Sequence, residues 1–272
     1  MTYSHLHLER HLDGKLVELR FEHGKANEVS SSVLRELEQL AQELETDPHV
    51  GALITRSERI SRSGTPIFIS GADVTERVGW DDSRIKEHVR WQRAVLGRLG
   101  DAPVFHIVVV SGVAFGWGTE YLLAGDYAIA TDKAVFALPE TGLGILPGAG
   151  GTTELQARVG PSHALRLGMT GERISAQEAL RIGLVQEHRA EPADGLERAR
   201  ALAALAAKRS PTALKAFKSA LYRSRGHDRD RRREIEATAY EACVDAGEAA
   251  IGRKHFAASR RGEPIPWGPK TS

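Results

Sequence analysis

The chain has 272 residues, a length that suits one large domain or a domain with a helical appendage. Its 37 Lys and Arg against 36 Asp and Glu leave a net charge of +1, so bulk charge offers no footing for nucleic acid or an anionic membrane. One cysteine, Cys243, excludes an internal disulfide framework, and no apolar run approaches the roughly 20 residues of a membrane span.

Tyr3–Arg10 and Lys15–Phe21 flank Asp13-Gly14, a favoured tight-turn pair, and predict a hairpin. Ser30–Glu45 carries Val33, Leu34, Leu37, Leu40, Ala41 and Leu44 at helical spacing, with serines to cap its start and Asp47-Pro48 to stop it. Val50–Thr55 reads as a strand, 56–66 as an exposed loop rich in Arg, Ser, Gly and Pro, and Ile67–Ser70 as a second short strand. A helix over about 82–99 is ended by Asp101-Ala102-Pro103. Val104–Val110, mostly β-branched, predicts a buried central strand. Glycines then introduce a short helix near 117–124, followed by strands over Tyr127–Ala130 and near 134–137. Strands alternating with helices to about residue 190 imply an α/β layered domain with parallel pairing.

The remainder is helical. Ser175-Ala176-Gln177-Glu178 has the form of a capping box, Glu191–Arg209 is alanine- and leucine-rich, and Ser210-Pro211 opens a further helix. Residues 211–260 carry almost no strand signal, and the Gly262–Pro269 tail is expected to be extended. These patterns divide the chain into a core domain over 1–205 and a helical region over 206–272.

Two glutamates each close a stretch whose composition folding alone does not explain. Glu120 ends Ser111-Gly112-Val113-Ala114-Phe115-Gly116-Trp117-Gly118-Thr119-Glu120, and Glu140 lies in Phe136-Ala137-Leu138-Pro139-Glu140-Thr141-Gly142-Leu143-Gly144. Upstream, Phe68-Ile69-Ser70-Gly71-Ala72-Asp73 is a strand-like run ending in glycine. Together they offer two carboxyl groups for proton transfer and glycine-flanked backbone able to aim N–H groups at an oxygen.

These segments, with Pro147-Gly148-Ala149-Gly150-Gly151-Thr152 and the stretch Leu167–Ala179 followed by Gly183-Leu184-Val185, resemble the crotonase (enoyl-CoA hydratase/isomerase) superfamily in order and spacing over roughly residues 3–260. The resemblance implies a spiral of β-β-α units with a C-terminal helical region, assembled as a homotrimer or homohexamer. It implies an acyl-CoA thioester substrate, with CoA entering as part of that substrate and no separate cofactor or metal. By position, the backbone N–H groups of Ala72 and Trp117 match the family's oxyanion hole, and Glu120 and Glu140 its acid–base pair. Lys25 and Ala26 match the loop that contacts the nucleotide end of CoA; Ser70, Gly71, Asp73 and Gly116 fall in the adjoining substrate-binding segments. Two carboxylates favour hydration or dehydration of an enoyl thioester, in fatty acid metabolism. The alternatives are an enoyl-CoA isomerase, which usually keeps only the second carboxylate, a branched 3-hydroxyacyl-CoA dehydratase of methylglutaconyl-CoA type, and an RNA-binding or scaffolding homologue. Trp117 departs from the family's usual glycine: its N–H survives, but the indole needs a place, and the acyl pocket is one.

Other features have simpler readings. Asp73 suits a turn or helix cap after Ala72; Gly148–Gly151 lacks the Lys-Ser/Thr of a nucleotide-triphosphate loop and reads as a turn into a helix near Thr152. His5, His7 and His11 form no recognised metal signature, and Cys243 lies in a helical stretch without an adjacent base. The arginines between Arg223 and Arg233 are interrupted by Asp228 and Asp230, as at a solvated helix junction; contact with CoA phosphates from a neighbouring subunit is the second reading and RNA a distant third. The first 25 residues lack the basic-then-apolar order of a signal peptide, so the expected compartment is the cytoplasm.

Overall fold

The computed structural model describes residues 3–271. It opens with the hairpin β1 (Leu6–His11) and β2 (Leu16–Phe21), joined by a turn in which Leu12, Asp13 and Gly14 all have positive φ. Helix α1 (Ser31–Thr46) follows, its Ser30 side chain accepting from the Val33 N–H and its six apolar positions buried.

Three β-β-α turns then build the core. The first is β3 (Ala52–Ser57), a hairpin of β4 (Arg59–Ile60) with β5 (Pro66–Ile69), and α2 (Asp82–Asp101). The second is β6 (Phe105–Val110), β7 (Val113–Phe115) and α3 (Trp117–Leu123). The third is β8 (Tyr127–Thr131), β9 (Val135–Ala137), a 3-10 turn over Pro139–Leu143 and α4 (Thr153–Thr170). Each turn sends its first strand to a six-stranded sheet, ordered β1-β2-β3-β6-β8-β11, and its second to a five-stranded sheet, ordered β10-β9-β7-β5-β4. The remaining elements are β10 (Ile174–Ser175), α5 (Ala176–Arg181), β11 (Glu187–Arg189) and α6 (Pro192–Ala207), then α7 (Pro211–Arg223), α8 (Arg229–Asp245), α9 (Glu248–Lys254) and α10 (Phe256–Arg260).

The run at Phe105–Val110 is apolar on both faces because both are covered. Val108 and Val110 face the main core, whereas Ile107 and Val109 pack against Ala199 and Ala203 of α6. Small residues let α6 lie close: a Cβ on its Gly195 would stand 3.2 Å from Val109.

Two expectations need correction. The 56–66 segment is not wholly loop, since Arg59 and Ile60 pair antiparallel with Ile67 and Pro66. Ser175 caps α5 by accepting from the Glu178 N–H, but the reciprocal half of the capping box is absent: the Glu178 carboxylate instead accepts from Arg166 and Arg181. That charge-assisted pairing holds the Glu178 carboxyl down at about 2.

Candidate active site

Parallel pairing of β5, β7 and β9 brings the three motif segments to one end of the five-stranded sheet. Parallel strands end on the same side, so the chain leaving β5 at Ser70, β7 at Gly116 and β9 at Leu138 emerges side by side. Missing side chains set the spacing. A Cβ on Gly112 would stand 2.3 Å from the Pro66 backbone, and one on Gly118 would stand 2.2 Å from the Ile69 carbonyl oxygen. Gly112, just before β7, and Gly118, in the first turn of α3, are therefore fixed by close contact with β5.

Gly71, at φ +140, turns the chain beside Phe115. The Val29 N–H donates to the Gly71 carbonyl and the Asp73 N–H to the Val29 carbonyl, which fixes Ala72 between them. Among the described residues, neither the Ala72 N–H nor the Trp117 N–H has a backbone acceptor. Trp117 is the first residue of α3, where an N–H is free by construction and lies at the positive end of the helix. Asp73 closes a turn, its Oδ1 accepting from the Thr75 N–H and hydroxyl at 2.9 and 2.5 Å.

The Lys25–Asn27 loop is tied to the same edge. Ser70 donates its N–H to the Ala26 carbonyl at 3.2 Å. Asn27, buried and at φ 54, donates to the Phe68 carbonyl at 2.7 Å and to Ser57 Oγ at 2.9 Å, and accepts from the His23 N–H at 2.7 Å. Lys25 itself is exposed.

Gly116 meets the backbone of Glu120 and the carboxyl of Glu140. Its carbonyl accepts from the Glu120 N–H at 3.0 Å, and a Cβ added to it would stand 2.6 Å from Glu140 Oε1. Only glycine fits there, at φ +50. The environments of the two carboxyls differ. Glu120 is buried, and its Oε1 accepts from the N–H groups of Ala149 and Gly151 at 2.6 and 2.9 Å. Burial raises its pKa, while those two N–H bonds and the charge of Arg93 oppose the rise. Glu140 has Oε2 buried with no hydrogen-bond partner among the described residues. Burial, followed by the nearby Glu120 charge, pushes its carboxyl up to about 7. Burial thus pushes both carboxyls up, with two N–H donors opposing the rise at Glu120 and no partner on Glu140 Oε2 among the described residues.

The sequence did not reveal the Ala149–Gly151 clamp, which acts on a residue some thirty positions earlier. The run Pro147–Gly151 marks only a turn, and its N–H direction is a tertiary property. The Trp117 indole finds its place inside the protein. Its ring is buried in the main core, 5.6 Å from Tyr121. Tyr121 in turn shares a hydroxyl bond with Thr55 at 2.9 Å, and Thr55 bonds His106 Nε2 at 2.9 Å. Burial drives His106 down to about 4, so it is neutral. This chain anchors α3, and with it Trp117 and Glu120, to β3 and β6.

His11 lies near Glu9 and Glu18, with ligand atoms within 4.8 Å of one another. Glu18 already accepts from Arg200 at 2.6 and 2.8 Å, which satisfies its charge. No helix among the described residues is long and apolar enough to cross a membrane.

Known proteins of similar sequence and fold place the chain in a family. A family model described as enoyl-CoA hydratase/isomerase matches residues 13–263. A short-chain-enoyl-CoA hydratase of Clostridium acetobutylicum is 32% identical over 264 residues, covering 96% of this chain and 97% of its own. A crotonyl-CoA hydratase of Syntrophomonas wolfei is 33% identical over 265 residues, covering 96% and 98%. Among solved structures, an enoyl-CoA hydratase from Bacillus anthracis superposes with a TM-score of 0.87 at 28% identity, covering 97% of this chain and 99% of that one. The chain is therefore an enoyl-CoA hydratase-like member of the enoyl-CoA hydratase/isomerase (crotonase) family.

Proposed function

We propose that this enzyme adds water syn across the Cα=Cβ bond of a 2-enoyl-CoA thioester, or eliminates it in reverse. The observation that carries the reading is the pair of carboxyls, Glu140 against Gly116 and near enough to Glu120 to feel its charge, beside two backbone N–H groups with no backbone acceptor. An isomerase needs one proton-transferring carboxyl; hydration uses two.

The thioester oxygen lies between the Ala72 and Trp117 N–H groups. Glu120, supported as an anion by Ala149 and Gly151, takes a proton from water while the water oxygen adds at Cβ. Negative charge moves onto the thioester oxygen, where fixed donors stabilise it without reorganising; one such donor is worth about 10²–10³ in rate. Glu140 delivers its proton to Cα. The next water relays the proton held by Glu120 back to Glu140, restoring both groups. Lys25, exposed beside Ala26 and Ser70, meets a CoA phosphate. The chain assembles as a trimer or hexamer through its helical C-terminal region and works in the cytoplasm, with no cofactor beyond the CoA of its substrate.

A panel of enoyl- and 3-hydroxyacyl-CoA thioesters followed by enoyl absorbance tests this reading. Turnover is expected in both directions, and Glu120→Gln is expected to lower kcat by about 10²–10⁴. Double-bond migration without water exchange, with full activity in Glu120→Gln, would make the enzyme an isomerase. A flat panel with tight RNA binding would overturn the enzymatic reading altogether.

A further inference from the structure

A cavity of about 660 Å³ borders Glu120 but touches neither Glu140 nor the Ala72 and Trp117 backbone. Its walls come from α2, the Leu146–Gly150 turn, the start of α4 and the end of α7. This position has a direct meaning along a bound thioester. The oxyanion donors fix C1, Glu140 serves Cα and Glu120 serves Cβ. The carbons beyond Cβ therefore leave the catalytic groups past Glu120, on the side where the cavity lies.

The cavity lining mixes apolar side chains with charged ones. Arg93, Arg158 and Arg225 line it, against two carboxylates, Asp101 and Glu154, besides Glu120. Arg225 is committed to Glu154 at 3.0 Å and lies over the Tyr222 ring at 4.3 Å. The other two arginines bond neutral acceptors. Arg93 donates through Nε to the Gly148 carbonyl at 2.8 Å. Arg158 donates through Nη2 to the carbonyls of Leu123 and Gly125 at 3.2 and 2.6 Å, and through Nη1 to Gln186 at 3.3 Å. Each guanidinium has five N–H donors in a planar fork, so both retain capacity for a carboxylate.

We propose that this cavity receives the distal end of the acyl group and selects acyl-CoA substrates that end in a carboxylate, with Arg93 and Arg158 as its recognition groups. The inference rests on the hydratase reading and deepens it. A methyl end placed there leaves guanidinium charge facing carbon, whereas a carboxylate end forms charge-assisted, fork-to-fork hydrogen bonds. Arg93 is the better handle, because it is exposed and makes one backbone bond, while Arg158 ties three partners whose loss would perturb folding.

The test uses the full-length enzyme and two 2-enoyl-CoA probes of equal chain length, one ending in carboxylate and one in methyl. The carboxylate-ended probe is expected to have the higher kcat/KM. Arg93→Gln is expected to lower the ratio of the two kcat/KM values by about 10–100-fold, the range set by losing a hydrogen bond to a charged group. Raising salt is expected to compress the same ratio in the parent enzyme. Turnover that favours the methyl-ended probe, with a ratio unmoved by Arg93→Gln, overturns this inference and leaves the hydratase reading intact. Failure to turn over either probe, across several chain lengths, counts against the hydratase reading itself.

Discussion

Replacing Glu140 by Gln separates chemistry from folding in one variant. Gln keeps the shape beside Gly116 and removes the titrating proton. If Glu140 supplies the Cα proton, kcat falls by about 10²–10⁴, or roughly 3–5 kcal/mol of barrier. Stability moves the other way. The folded carboxyl keeps its proton up to about 7, against 4.5 ordinarily, so between those values the folded state holds more protons than the unfolded chain. Stability from this group is fully present below pH 4.5 and is lost as pH rises through 7. The shift corresponds to an upper bound of ~3 kcal/mol, and water around this half-buried residue reduces that to about 1–2 kcal/mol. At roughly 2–4 °C per kcal/mol for a chain of this size, Glu140→Gln melts about 2–8 °C above the parent at pH 8.5. That advantage grows between pH 4.5 and 7 and levels off above. Thermal melts across pH 4.5–9, paired with enoyl absorbance kinetics, measure both effects. The parent's hydration rate is also expected to decline above about pH 7, as Glu140 loses the proton Cα needs. A Tm difference independent of pH, or an activity loss below tenfold, refutes the reasoning.

Gly118→Ala places a Cβ 2.2 Å from the Ile69 carbonyl oxygen, so α3 must retreat from β5. We expect a loss of about 1–3 kcal/mol in urea unfolding and about 10²-fold in kcat as the Trp117 N–H moves off target. Asn27→Ala removes three buried hydrogen bonds and puts alanine at φ 54. A cost of about 2–3 kcal/mol and weaker CoA binding by calorimetry are expected. Lys25→Glu is expected to weaken CoA binding with the fold intact, and unchanged affinity would remove Lys25 from the site. Sedimentation equilibrium is expected to give a trimer or hexamer, against which a monomer at micromolar concentration would count.

Much of the architecture was legible because it is written locally. Asp13-Gly14 specifies its turn, Ser30 its cap, and the α1 apolar stripe its buried face. The doubly covered strand β6 shows itself as an apolar run broken only by His106. Strand β7 was not legible: three residues inside a glycine-rich motif carry no periodicity, and pairing with β5 and β9 defines it. The same holds for Arg59 and Ile60, whose strand exists only against Ile67 and Pro66. At the site, the residue types announced themselves, but their inequality did not. Nothing near Glu120 in sequence reveals that Ala149 and Gly151 hold its oxygen. Nor does the chain near Glu140 reveal that one of its oxygens is buried without a partner. Those facts come from loops distant in sequence.

The glycine contacts around Gly112, Gly116 and Gly118 leave the catalytic floor with no slack. Gly112 and Gly118 pack against backbone and Gly116 against the Glu140 carboxyl, so the floor cannot be retuned by small steps. The helices walling the cavity present exposed positions as well, Arg93 on α2 among them. The two regions therefore differ in how readily they accept mutation. On the proposed acyl role of the cavity, substitutions in the α2 and α7 walls are expected to change acyl preference while leaving the reaction unchanged. A directed-evolution library for new acyl groups belongs on those helices, and one drawn over residues 112–120 would return mostly unfolded or inactive protein.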